Sequence, residues 1–464
     1  MGTLRRIWGS WSTRRRVLTV GAIVLAFAGV AVAGYLVLKR PGDISDPDAE
    51  FVETDTVKIP KRSELKTTDW PTYQLNPERT GYLPGKYLDP PFGSSKWSLP
   101  LGHLIEHAPI VVGDRMYILD LKGILYAVDK RNGKIIYKKD LGELSAAAPG
   151  YHDGMVYAIN LDPDQIVALR AKDGKELWRK PIGSPGSESS PVVVNDRLIF
   201  GCQCGSVYAL NPKTGATLWQ TETAGEIKSA VAYHEGTIFG SNYGGEFFAI
   251  DASDGGVKWT TPIIGGAFGR GGGSYSTPAI AYGRVYVGAL DSRVYSLDID
   301  SGEIAWTFST GAEVYPGPVV ADVKGAPPSV YIASADAQAY ALDAKSGALR
   351  WKRSVGDQVI GSGVVIGSTF YVSRASEQGM VGFNAASGKQ VFTSDLGAYS
   401  PAISDGERFY LVGYGTVRAF ESRRLEEKKA KENREIKKAK KKAERQAEGV
   451  APAAADTEGE EPEG

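Results

Sequence analysis

Residues 125–137, LYAVDKRNGKIIY, recur along the chain as IVALRAKDGKELW (166–178), VYALNPKTGATLW (207–219) and FFAIDASDGGVKW (247–259). They return again as VYSLDIDSGEIAW (294–306), AYALDAKSGALRW (339–351) and MVGFNAASGKQVF (380–392), and an eighth copy starts as TVRAFESRR (416–424) before the pattern is lost. Each copy opens on apolar and aromatic residues in a strand pattern. An Asp or Asn follows in most (Asp129, Asn211, Asp251, Asp298, Asp343, Asn384), suited to capping a turn with its side chain. Four residues later stands an unbroken series of glycines, Gly133, Gly174, Gly215, Gly255, Gly302, Gly347 and Gly388. A glycine there suits a turn that needs positive φ. The turn leads into a second strand that ends in a large aromatic.

Another strand pair precedes each hairpin, as in PVVVNDRLIFGCQCGS (191–206) and PAIAYGRVYVGALDSR (278–293). The unit is therefore four antiparallel strands repeated about every 40 residues, the signature of a propeller blade. The closing aromatics are Trp97, Tyr137, Trp178, Trp219, Trp259, Trp306, Trp351 and Phe392, spaced 40, 41, 41, 40, 47, 45 and 41 residues apart. Trp97, in SSKWSLPLG (94–102), precedes any complete repeat, and the last repeat lacks an outer strand. Joining the two predicts an all-β, eight-bladed propeller whose last blade is closed by an N-terminal strand, leaving no open edge. The aromatics are expected to pack between blades, burying about 150–250 Å² each.

Outside the repeat, Val17–Leu38 carries no charge over 22 residues. As a helix it spans about 33 Å, enough for a hydrocarbon core of about 30 Å. Arg5, Arg6, Arg14, Arg15 and Arg16 precede it, and Asp43, Asp46, Asp48 and Glu50 follow, so the N-terminus is expected to stay cytoplasmic. A cleaved signal at Ala31-Val32-Ala33 and a twin-arginine leader are rival readings, and either would export the body equally. No cysteine lies near the end of the run to carry a lipid. The expected layout is a cytoplasmic segment (1–16), a transmembrane helix (17–38), a linker (39–68), the propeller (69–422) and a charged helical, then disordered tail (423–464). From 423 to 448 the tail has 12 basic and 6 acidic residues and no apolar stripe.

The hairpins LYAVDKRNGKIIY, VYALNPKTGATLW and AYALDAKSGALRW, with the opening DWPTYQLNPERTGY (69–82), resemble the repeat of the pyrroloquinoline-quinone-type β-propellers. The resemblance covers roughly residues 69–422 and leads to two branches, quinone-dependent dehydrogenases and the non-enzymatic BamB-type assembly factors. The dehydrogenase branch implies a calcium-bound quinone and a pair of adjacent cysteines. Here Cys202 and Cys204, the only cysteines, are separated by Gln203. The BamB-type branch asks for no catalytic constellation. A membrane-anchored, extracytoplasmic scaffold for an envelope protein or polymer is therefore expected, with no catalytic residue, metal or cofactor. A quinone-dependent dehydrogenase and a ligand-binding or sensor ectodomain stand as alternatives.

Lys and Arg together number 54, as do Asp and Glu, which gives no reason to expect nucleic acid as a partner. A monomer is expected. His103-Leu104-Ile105-Glu106-His107 spells an inverted zinc-protease motif, but Pro109 and the strand repeat deny it the helix that chemistry requires. The glycine run 265–273 lacks the Lys-Ser/Thr of a phosphate loop. The connections between blades offer the best surface: Glu106, Glu188, Glu226, Lys228, Arg270, Tyr275, Glu313 and Tyr315 stand near the starts of inner strands and are expected to gather at one channel mouth.

Overall fold

A computed structural model describes residues 12–38, 42–57, 69–85, 87–265, 272–376, 379–397, 399 and 402–448. Its strands form eight sheets. In the first blade Ile110–Val112, Arg115–Leu119, Ile124–Asp129 and Ile135–Asp140 pair antiparallel in sequence order, from the channel outward. The next six blades repeat that order. In the eighth, Trp97–Pro100 is the outermost strand and pairs antiparallel with Thr416–Phe420, Trp97 facing Ala419. The ring is thus closed by a strand from the N-terminal side, as the orphan Trp97 predicts.

The repeated glycine and the repeated aromatic turn out to be one device. Each glycine holds a positive φ, from 69° at Gly174 to 82° at Gly255. Each also has the aromatic of the preceding blade lying on its bare face. A Cβ at Gly133 would stand 2.7 Å from Trp97, at Gly215 2.7 Å from Trp178, and at Gly347 2.7 Å from Trp306. The indole N–H then donates to a carbonyl in the same neighbouring turn: Trp97 to Lys130 (2.9 Å), Trp219 to Ala252 (3.1 Å), Trp351 to Ala385 (2.9 Å). Tyr137 does the same through its hydroxyl, to Ala171 at 3.1 Å. Phe392 has no donor and packs instead against Phe92, Tyr371 and Phe409.

Residues 69–83 do not simply precede the first blade. They wind around the channel and bond to the free inner edge of blade after blade. The amides of Val111, Tyr151, Tyr233, Ile280, Val320 and Val365 donate to Trp70, Pro71, Pro77, Glu78, Thr80 and Gly81 respectively. Tyr82–Leu83 ends the circuit as a fifth strand, parallel to Val364–Ile366 of blade seven. Arg79 pins the segment from within. Fully buried, it donates to the carbonyls of Val231, Tyr73 and Ser190 and to Thr72 Oγ1, at 2.6–3.0 Å. Burial lowers its pKa to about 9, so it still enters as a cation at neutral pH.

Part of the expected linker is docked as well. Residues 42–57 run from the outer strand of blade five, where Asp46 N donates to Ala305 O and Ser45 bridges Trp306, to its inner hairpin, where Val52 N donates to Tyr282 O. Arg284 donates to the carbonyls of Glu50 and Ala49, and Phe51 stacks on Tyr282 at 5.0 Å. Residues 39–41 and 58–68 lie outside the described residues.

Among the described residues two helices flank the propeller in sequence, α1 (Thr13–Leu38) and α2 (Arg423–Glu448). Among the described residues no helix is long and apolar enough to cross a membrane, so an anchor rests on the uncharged sequence within α1 alone. The start of α2 is tied down by Leu425, which is buried, and by Lys96–Glu426 (2.7 Å) and Lys429–Glu421 (3.0 Å) pairs. Beyond that turn it is solvated, and the segment 449–464 expected to be disordered lies outside the described residues.

Candidate functional site

The winding segment closes the channel on one side and leaves a pocket of about 170 Å³ on the other, floored by Tyr73. Its wall follows a simple rule. The residue four positions before the first inner-strand residue enters it in six blades: Glu106, Glu188, Lys228, Tyr275, Tyr315 and Ile360. The inner strands leave the ring at equivalent points, so equivalent positions converge on the axis. Five of the eight residues expected at this mouth are therefore brought together.

Two of the other three are not. Glu226 and Glu313 stand two residues further out and are exposed; Glu226 pairs with Lys228 at 3.7 Å from outside the pocket. Arg270 lies outside the described residues, with most of the glycine run. Tyr73, His107, Ser229, Tyr243 and Tyr399 also line the pocket and were not expected. The position-by-position alignment of the repeats could have found His107, Ser229 and Tyr399, which each fall one residue on from the converging position; Tyr73 and Tyr243 carry no such signal.

The pocket is aromatic, acidic and rich in acceptors. Tyr243, Tyr275 and Tyr315 meet edge to face at 6.3 and 6.5 Å. The Tyr275 hydroxyl donates to Glu188 Oε2 at 2.8 Å, and Gln203 Nε2 donates to Glu188 Oε1 at 2.7 Å. Gln203 is presented by a tight turn whose flanking residues, Cys202 and Cys204, are joined as a disulfide. Burial, and behind it the negative charge of Glu188, raises the Glu106 carboxyl to about 7. Burial likewise drives the phenols of Tyr275 and Tyr243 upward, Tyr243 to about 12. Burial lowers His107 to about 4 against an opposing hydrogen bond to the backbone of Ala146, so the ring is neutral at pH 7. Lys228 lies 5.3 Å over the Tyr243 ring, held between it and Glu226.

The segment 103–107 forms no helix. Glu106 and His107 turn into the pocket, whereas His103 lines a separate cleft beside Tyr414. Among the described residues no three His, Cys, Asp or Glu side chains are grouped to hold a metal.

Residues 86–230 and 203–423 match the sequence pattern of the family described as outer membrane protein assembly factor BamB. The BamB protein of Yersinia pestis is 28% identical over 198 residues, which cover 43% of this chain and only 42% of that protein. Among solved structures, BamB from Moraxella catarrhalis superposes with a TM-score of 0.59 at 18% identity, covering 71% of this chain and 98% of that one. The quinohemoprotein alcohol dehydrogenase of Comamonas testosteroni does so at 0.62 and 14% identity, over 76% and 80%. At such identities the two structures speak to the fold alone.

Proposed function

The chain belongs to the family of the outer membrane protein assembly factor BamB, and from that premise we propose that it is an extracytoplasmic, non-catalytic scaffold holding another envelope protein at its channel mouth. The observation that carries this reading is the blind pocket. Residues 69–83 stop one side of the channel, while the opposite mouth gathers one side chain from each of six blades. That is a surface built to hold something, on short connections fixed at one end by the inner strands. The run Val17–Leu38, basic before and acidic after, supports a single-pass anchor in the cytoplasmic membrane with the propeller outside. A protein of the outer membrane assembly machinery is the partner that the relatives' name suggests.

The pocket does not suit the quinone of the dehydrogenase branch. Pyrroloquinoline quinone is a tricarboxylate, and among the described residues no three His, Cys, Asp or Glu side chains are grouped to hold the calcium that would bridge it to Glu106 and Glu188. Lys228, the cation among the lining residues, is already held by Glu226 and Tyr243. Like charges brought together in a partly buried site disfavour binding.

The test is to purify the full chain from crosslinked intact cells, as wild type and as Glu188→Lys, and to identify what comes with it. An envelope assembly protein recovered with the wild type and lost with the variant is expected. Equal recovery with both would refute a role for the mouth, and recovery of no envelope protein would refute the scaffold.

A further inference from the structure

We propose that the channel-mouth pocket takes an ammonium group, seated against the tyrosine rings and Glu188 and donating its protons to acceptors that the chain leaves unpartnered. This deepens the scaffold reading and rests on the mouth being the binding face. Two buried polar atoms at the pocket have no hydrogen-bond partner. Ser229 Oγ is one, on a side chain only 3% exposed, and His107 Nε2 is the other. A buried polar atom left unpaired is destabilising, so such a pair calls for a partner from outside the chain.

The character of the atoms selects the ligand. The His107 ring is neutral and bonds through its other nitrogen to the backbone of Ala146, so Nε2 offers a lone pair. Glu188 accepts one bond at each oxygen, from Tyr275 and Gln203, and each oxygen keeps further capacity. Acceptors facing a single small space call for a group with several donors, and an ammonium has three. Charge agrees, since Lys228, the cation among the lining residues, is paired with Glu226 at 3.7 Å. The aromatic wall agrees too, because ring faces attract cations within about 6 Å. Tyr243 already does so for Lys228, 5.3 Å from its ring centre. A volume of about 170 Å³ admits the end of one long side chain or a small amine, and no folded segment.

The ammonium could reach the pocket on a lysine of a partner or as a free polyamine. Titration calorimetry on the full chain in detergent would use three probes: N-acetyl-lysine methylamide, spermidine, and N-acetyl-norleucine methylamide, whose methyl replaces the ammonium. At least one amine should bind at least about tenfold more tightly than the norleucine analogue, given about 1.5–3 kcal/mol for a charge-assisted hydrogen bond. Glu188→Gln should weaken that amine about tenfold, and Ser229→Ala should weaken it too. Asp153→Asn, in the turn that follows the inner strand Gly150–His152 of blade two at the end of the channel away from the pocket, should leave it unchanged, and circular dichroism of each variant reports folding. The blocked lysine binding better points to a partner's side chain, spermidine binding better to a free polyamine, and both uphold the proposal. Equal binding of the norleucine analogue, or indifference to Glu188→Gln, would overturn it. A partner still crosslinked in cells while no amine binds would overturn this chemistry and leave the scaffold standing.

Discussion

Replacing Gly347 by alanine separates the two duties of the repeated glycine. Gly347 sits at φ 72°, where a Cβ costs roughly 1 kcal/mol. The new Cβ would also stand 2.7, 2.8 and 3.0 Å from Trp306 Cδ2, Cε3 and Cγ. Trp306 is only 2% exposed and donates to Ala344 O at 3.1 Å, so the ring cannot swing clear without breaking that bond. Overpacking of this kind costs about 1–3 kcal/mol, for a sum of about 2–4 kcal/mol. Gly154 is the internal control: its φ is 76° and nothing lies within 4 Å of a Cβ there, so alanine should cost only about 1 kcal/mol. Urea midpoints followed by far-ultraviolet circular dichroism, compared at a common slope, measure both. In a Trp306→Ala background the Gly347→Ala cost should fall to the control's about 1 kcal/mol. If Gly347→Ala costs no more than Gly154→Ala, the aromatic does not seat on the glycine and this account of blade packing is wrong.

Further outcomes follow from the pocket and its surroundings. Glu106 and His107 oppose each other as pH falls. The raised Glu106 lets the native state hold an extra proton from pH 7 down to about 4.5, which stabilises it, while the lowered His107 makes it forgo one from about 6.5 to 4, which destabilises it. Stability measured by urea should therefore be nearly flat in this window for the wild type. It should rise on acidification in His107→Gln and fall in Glu106→Gln; parallel profiles for all three would refute the pairing. Arg79→Met should cost about 3 kcal/mol or more in the same assay, since it strips the donor from the carbonyls of Tyr73, Ser190 and Val231; a loss under 1 kcal/mol would show the winding segment to be incidental. Arg284→Ala should release residues 42–57 from blade five, read as faster hydrogen exchange at the Val52 amide, which bonds to Tyr282 O at 3.0 Å. Unchanged protection would mean that the rest of the strap holds without it.

The blade count and its closure were legible because they are periodic: Trp97 without a repeat and residues 416–424 without an outer strand fit only each other. The glycines were read for their φ alone, because their second role is a contact about 35–40 residues back that no local pattern signals. Residues 69–83 were opaque for a related reason. Their partners are spread over seven blades, a few bonds to each, so nothing in the segment's own periodicity announces a closed channel. At the pocket, Glu106, Glu188, Lys228, Tyr275 and Tyr315 meet because each stands at the same offset before its inner strand. Glu226 and Glu313 failed by two residues, a distance that decides between channel and rim once the converging position is known.

The most direct test of the central claim places a photo-crosslinking amino acid at Tyr315, in the channel mouth, and another at Asp153, on the opposite face, in intact cells. A discrete adduct with an envelope protein is expected from position 315, lost when Glu188→Lys is added, and none from 153. An adduct from 153 alone, or one from 315 indifferent to Glu188, would contradict that claim.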